Sequence, residues 1–321
     1  MTEIDVSIII VNYKTPKLLF ECIKSIYDFS NQFTFEVIVV DNDSDDNSEE
    51  SIKSNFKEVI WINAGSNLGF GTANNIGIEK SKGEFTLLLN SDTELYENVI
   101  YKSIEFYKEI SLEKRIGLLG CRVEHRNKEL QPSCNYYWAG IKEEFQANPI
   151  AIFLRERILN LKKLRGINKY EKLNVNHEMT WLGVPFALIK TNIIKENQFD
   201  PSFFMYSEDE ELNFRLSNKG YKSYYYSDAG VYHIIGGSSS DNFKRNRQIF
   251  ASKLLFILKI RGKAYLKLYI LILKLNIKLD NLLNPKNEVL INQNKLKLSW
   301  LKKYTKVILS KEFTVLNTYL D

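Results

Sequence analysis

FTLLLNSDTE, residues 85–94, is a short apolar run that stops abruptly at Asn90, Ser91 and Asp92. Such a run reads as a buried parallel strand whose C-terminal tip presents a carboxylate, the position at which open α/β sheets bind their ligands. From the residues alone Asp92 has two readings. It caps the helix that follows, because Ser-Asp-Thr before a helical stretch is ordinary capping chemistry. Alternatively it shares a divalent cation with a bound diphosphate, and Mg²⁺ or Mn²⁺ suits that role by taking few protein carboxylates and leaving positions for phosphate oxygens.

Upstream of this strand the chain repeats strand and helix. VSIIIVN (6–12) is β-branched and apolar on both faces, as a central parallel strand should be. Thr15 and Pro16 offer an N-cap and a first helical position, and Leu18, Leu19, Cys22, Ile23 and Ile26 then recur at helical spacing. FEVIVV (35–40) ends in Asp41, a second carboxylate at a strand tip, followed over 43–50 by small polar and acidic residues that start a helix. A third strand over 59–62 leads into NAGSNLGFG (63–71), whose glycines and asparagines allow left-handed backbone and close approach to a ligand. A helix over 72–80 returns the chain to residue 85. This alternation predicts right-handed crossovers and a doubly wound sheet that gathers Asp41, the glycine-rich loop and Asp92 along one edge.

Downstream, residues 116–123 read as another strand. Residues 148–172 carry Arg155, Arg157, Lys162, Lys163, Arg165, Lys169 and Lys172 among leucines and isoleucines, a basic helical insertion. It is either a solvated excursion or a flap near an anionic acceptor. MTWLGVPFALIK (179–190) gives two short strands broken at Gly183 to Pro185, in a mixed part of the sheet. The stretch 199–220 holds a partly buried helix with Glu208 and Asp209 in its first turn, where the helix dipole favours ionised carboxylates. A strand over 221–226 and a returning segment over 230–233 end at His233.

At 321 residues and 44% hydrophobic, the chain has the material for a large core. Three widely spaced cysteines, Cys22, Cys121 and Cys134, argue against a disulfide framework and suit a reducing compartment. No export signal is expected from MTEIDVSIIIV, and a cytoplasmic location follows. The net charge of +5 conceals a division: residues 241–321 hold 17 Lys+Arg against 5 Asp+Glu, whereas the rest holds 27 against 34. A basic tail points to an anionic surface or to solvated helices. Without zinc-ligand spacing or a recognition motif, no nucleic-acid partner is expected. Lys259, Lys263, Lys267, Lys274 and Lys278 fall within an arc of about 100° on a continuous helix, with breaks expected at Gly262 and Pro285. The longest uncharged apolar run, 268–273, is far short of the roughly 20 residues that span a bilayer. The tail is therefore expected to lie on an anionic membrane surface, or else to pack on the body of the protein.

Six segments in order carry a resemblance: VSIIIVNY from Val6, VVDNDSDDNS from Val39, NLGFGTANNIG from Asn67, LLLNSDTE from Leu87, FMYSEDEEL from Phe204 and VYH from Val231. Together they resemble the ordered motifs of family 2 inverting glycosyltransferases, nearest to the rhamnosyltransferase-like branch, over residues 5–240. The resemblance implies a GT-A fold, Rossmann-like and doubly wound with a mostly parallel sheet and a small mixed sheet. The catalytic domain would occupy 1–240, with a nucleotide-sugar-binding half in 1–125 and an acceptor-binding, catalytic half in 126–240. A basic amphipathic helical tail, 241–321, follows.

Carried onto this chain, the resemblance implies that Asp41 binds the nucleobase of a nucleotide-diphospho-sugar. Asn12, Asn67, Gly69, Phe70, Asn74, Asn90, Ser91 and Asp92 would line the donor site, and Trp181 and Gly183 the acceptor or donor-sugar pocket. Asp92 takes the last place of a metal-binding D-x-D motif, written here Asn90-Ser91-Asp92, which leaves one carboxylate instead of two. His233 matches a histidine that completes the metal site in some relatives. Asp209 of the Glu208-Asp209 pair matches the general base that an acceptor hydroxyl needs in order to attack an anomeric carbon near neutral pH. The implied reaction moves a sugar, first L-rhamnose from dTDP-rhamnose, to a glycan or lipid-linked saccharide, by a peripheral enzyme at the cytoplasmic face of the membrane. Two other readings stand against it. A sugar nucleotidyltransferase needs a glycine-rich basic loop after the first strand, where this chain has NYKTPKLL. A nucleotide-sugar-binding scaffold with an impaired site is allowed by the missing carboxylate and opposed by the presence of both Asp92 and Asp209.

Overall fold

The computed structural model describes residues 3–146, 148, 172–234, 242–310 and 314–319. The basic insertion expected over 148–172 lies, apart from its two end residues, outside these. Strand β1 (Val6–Asn12) is buried at every position, which its β-branched composition permits on both faces. It pairs in parallel with β2 (Phe35–Asp41) on one side. β3 (Ile60–Asn63) extends the sheet beyond β2, and β4 (Phe85–Asn90) lies against the other side of β1, all parallel. The registers set Asn12 beside Asp41 and Val11 beside Asn90, so the polar tips of three strands end together. Full burial of side chains such as Ile8, Ile10, Leu87 and Leu89 stabilises this sheet by roughly 1.5–3 kcal/mol each.

Helix α1 (Pro16–Phe29) buries Leu19, Cys22, Ile23 and Ile26 as the spacing predicts. Thr15 makes no side-chain cap; its hydroxyl bonds Asn12 and Ser91 instead, and the helix start is left to Pro16. Helices α2 (Ser48–Asn55), α3 (Phe70–Lys80) and α4 (Val99–Ser111) complete the crossovers, with β5 (Thr93–Leu95) directly after Asp92. Residues 93–95 are thus strand, and Asp92 does not cap a helix.

The second half adds β6 (Ile116–Glu124), β7 (Cys134–Asn135), β8 (His177–Met179), β9 (Trp181–Leu182), β10 (Phe186–Lys190) and β11 (Lys222–His233). The large sheet runs β3-β2-β1-β4-β10-β6-β11-β5, and β7 pairs with β9 separately. Antiparallel β10 joins the parallel half to β6 and β11. Residues 230–233 do not return, contrary to the expectation from sequence. They continue β11 past an irregularity between Tyr226 and Gly230. Ser-Asp-Ala-Gly resembles a turn, but here its polar groups are satisfied in place: Ser227 donates to Asn176 and the Gly230 amide to Glu97. The extension carries His233 to a position beside Thr93.

The tail consists of helices. The stretch Asn242–Leu283 is broken at Gly262, whose φ of 81° and ψ of 175° are non-helical, and Glu288–Ser310 forms the last helix. One side of these helices closes a core of Leu254, Phe256, Leu266, Tyr269, Leu301 and Ile308 with Phe203, Phe214 and Trp138 of the body. The expectation of five lysines on one face is corrected at the break. Lys259 lies before Gly262 and pairs with Asp200 at 2.5 Å, so only the other four share the second helix. Among the described residues no helix is long and apolar enough to cross a membrane.

Candidate functional site

Asp41 sits at the tip of β2 with 8% exposure, its charge held by a compact network. Its Oδ1 accepts from Asn12 Nδ2 (2.8 Å) and Ser44 Oγ (2.6 Å), and its Oδ2 accepts from the Ser44 amide (3.0 Å). The Thr15 hydroxyl donates to Asn12 Oδ1 and meets Ser91 Oγ at 3.1 Å, linking the tips of β1 and β4. Beside Asp41 opens a cleft of about 440 Å³ lined by Tyr13, Lys14, Asp43, Asp45 and Trp61 among others. An aromatic wall with polar acceptors is a fit for a nucleobase. The sequence points to Thr15 only as an N-cap and does not single out Ser44. Ser44 sits three residues after a strand-tip aspartate, where a side chain can bond back to that carboxylate.

The glycine-rich loop is fastened to protein instead of lying open. Asn42 Nδ2 donates to Asn67 Oδ1 (3.0 Å), and Asn42 Oδ1 accepts from the Leu68 amide (2.9 Å). Gly69 has φ 82°, and a β-carbon there would lie 2.0 Å from the carbonyl oxygen of Phe204. Its freedom therefore serves close approach to the segment before Glu208 and Asp209. The Phe70 amide donates to that same carbonyl, and its ring meets Phe199 edge-on. Asn74 bonds the Phe70 carbonyl within its own helix and is buried.

Asp92 and His233, distant in sequence, meet at 3.2 Å between Oδ1 and Nε2. Gln131, missed in the sequence because an isolated glutamine carries no signal, decides what that contact is. Its Nε2 donates to the His233 carbonyl (2.6 Å), which fixes the amide orientation. Its Oε1 then faces His233 Nδ1 at 3.0 Å, so Nδ1 carries the hydrogen. The ring Nε2 and the Asp92 carboxylate attract across whatever lies between them, a proton or a shared cation. Asn90 Oδ1, on the adjacent strand tip, is buried without a hydrogen-bond partner. Among the described residues no cluster of three or more His, Cys, Asp or Glu gathers to hold a metal. The pair nevertheless fits Mg²⁺ or Mn²⁺, which complete their shells with water and phosphate oxygens.

The helix Glu208–Asn218 begins with four consecutive acidic residues. Asp209 Oδ1 accepts from the Glu210 amide at 2.8 Å, and burial pushes its carboxyl up to about 6. Glu208 is buried more deeply, its Oε2 without a partner, and burial together with the charge of Asp209 holds its carboxyl well above the usual range. Asn213, one turn on, straps β9 to this helix by donating to the Leu182 carbonyl and accepting from the Leu182 amide, both at 3.2 Å. That strap brings Gly183 to Asp209: a β-carbon at Gly183 would lie 3.7 Å from Asp209 Oδ2. Trp181 is half-buried, with its indole N–H donating to the Tyr137 carbonyl.

Residues 7–130 match the family model for glycosyl transferase family 2. The chain is 31% identical over 202 residues to the glycosyltransferase GlyG of Streptococcus pneumoniae, a match covering 62% of this chain and 60% of that protein. It is 25% identical over 224 residues to MJ1057, an uncharacterized glycosyltransferase of Methanocaldococcus jannaschii, covering 68% and 66%. The chain thus spans about two thirds or less of the curated relatives it matches. In fold it is similar to S. aureus TarS 1-349 in complex with UDP, with a TM-score of 0.52 at 16% identity, covering 88% of this chain and 74% of that one. Residues 7–130 are thus similar to the family 2 glycosyltransferases, and the mostly parallel sheet with its mixed second half is consistent with the GT-A fold.

Proposed function

We propose that the chain transfers a sugar, with inversion, from a nucleotide-diphospho-sugar to a hydroxyl of a glycan or lipid-linked saccharide. The observation that carries this reading is the meeting of His233 Nε2 and Asp92 Oδ1 at 3.2 Å on the strand edge that also bears the Asp41 cleft. Asp41 and Asn12 would seat the nucleobase, consistent with the fold neighbour bound to UDP. Asp92 and His233 would hold Mg²⁺ or Mn²⁺, which when bound supplies charge neutralisation for the leaving diphosphate. Asp209 would accept the proton of the attacking hydroxyl, with Gly183 leaving room beside its free oxygen. The likeness of the motifs to rhamnosyltransferases makes dTDP-rhamnose the first donor to try. Release of nucleoside diphosphate from a panel of nucleotide sugars tests the proposal, and no release from any donor with any saccharide acceptor would overturn it.

The metal site makes a separate prediction. Asp92→Ala and His233→Ala should each raise the Mn²⁺ concentration needed for half-maximal transfer. Gln131→Leu, which releases the ring tautomer, should raise it by about 10–100-fold, as loss of an outer-sphere partner does elsewhere. Undiminished transfer in excess chelator would remove the ion from the reaction.

A further inference from the structure

The second tail helix, residues 263–283, carries two apolar faces, and only one is used. Leu266, Tyr269, Leu273 and Ile277 are buried in the tail core. On the opposite side Leu268, Leu271, Leu275 and Leu282 are 49%, 64%, 52% and 72% exposed. At 100° per residue these four leucines fall within an arc of about 60°, and exposed Lys263, Lys267, Lys274 and Lys278 fill the adjoining arc of about 60°. Folding of the chain leaves this leucine row in water, and a row of that kind marks a surface for a partner.

We infer that the leucine row of helix 263–283 docks on an anionic lipid bilayer. Charge complementarity selects that occupant. A row of leucines sinks into the boundary between headgroups and acyl chains while flanking ammonium groups meet lipid phosphates. A second copy of the chain is a poor match on two counts. Four leucines at these exposures offer roughly 400 Å², whereas a stable interface takes about 800 Å² from each partner. Apposing two such faces would also bring the two lysine rows together without a counter-charge, as the helix holds Asp280 as its single acidic residue. This inference concerns a surface outside the strand-tip site and does not depend on the proposed reaction.

The test is co-sedimentation of the full chain with phosphatidylcholine vesicles made with and without phosphatidylglycerol. The wild-type chain should pellet with the anionic vesicles and remain in the supernatant with the neutral ones. Leu271→Glu with Leu275→Glu, at exposed positions that the core does not need, should weaken binding by on the order of a hundredfold. Each of Lys267→Gln, Lys274→Gln and Lys278→Gln should weaken it by about fivefold. Thermal melts of the variants should match wild type, which keeps a loss of binding distinct from a loss of fold. Failure of the wild-type chain to pellet, or pelleting indifferent to the leucine substitutions, overturns the inference. So does a dimer in equilibrium sedimentation that the leucine substitutions dissociate.

Discussion

Asp209→Asn should lower the turnover of sugar transfer by roughly 10²- to 10⁴-fold, the usual contribution of a positioned general base, while the nucleotide donor binds as before. The amide can keep the bond from the Glu210 N–H, so the helix start is preserved and only the proton acceptor is lost. Glu208 does not replace it, because burial keeps that carboxyl protonated far above the ordinary range. The same burial sets a pH dependence. With the Asp209 carboxyl pushed up to about 6, kcat/KM should fall about tenfold per pH unit below that point and level off above it. The sign for stability is opposite. A carboxyl raised by folding stabilises the folded chain below its unfolded value and loses that contribution as pH rises through about 6. An asparagine never ionises, so the variant should melt at or above the wild-type temperature at pH 8. Calorimetric titration with donor and a pH series of initial rates check both halves. Turnover within tenfold of wild type would move the role to Glu208.

Gly69→Ala should cost roughly 4 kcal/mol, combining about 1–3 for an alanine at φ 82° and ψ 174°, a region open essentially to glycine alone, with a similar cost for the clash at Phe204. The clash has no soft exit. The contact is with a backbone carbonyl that already accepts the Phe70 amide at 2.9 Å, and both neighbouring segments are packed. A melting temperature lower by about 5–10 °C follows. Relief by moving the Phe204 segment would displace the catalytic pair four and five residues on, so turnover should fall with stability. A Gly69→Ala chain with wild-type melting and turnover would show that the approach is not needed.

The strand edge was legible because buried parallel strands must be apolar throughout and their polar tips then stand out, as at Asn12, Asp41 and Asn90. Asp92 and Asp209 were found for the same reason, as carboxylates where apolar runs stop or helices start. What stayed hidden depends on partners far away in sequence. Gln131, Asn213 and Ser44 are ordinary polar residues until the fold brings them to His233, Leu182 and Asp41. The strand β11 was read as two pieces because the bond partners of its irregular residues, Asn176 and Glu97, lie elsewhere in the chain. In the tail, lysine spacing alone located a helix but not its orientation. Which leucines face the core was decided by the break at Gly262 and by the docking of Phe203 and Phe214.

The tail also reaches the segment that leads into the helix Glu208–Asn218. Ser252 Oγ and Gln248 Nε2 both donate to the Met205 carbonyl, and the Leu316 amide donates to the Ser202 carbonyl. Directly after these contacts Tyr206 and Ser207 have φ of 68° and 61°, a conformation that costs energy for residues with a β-carbon. For inheritance this matters: tail and body cannot be shuffled independently between relatives. A chimera joined near residue 240 would carry Glu208 and Asp209 on a segment whose brace belongs to a different lineage, and recombination that keeps the fold should place its junctions before residue 125 instead.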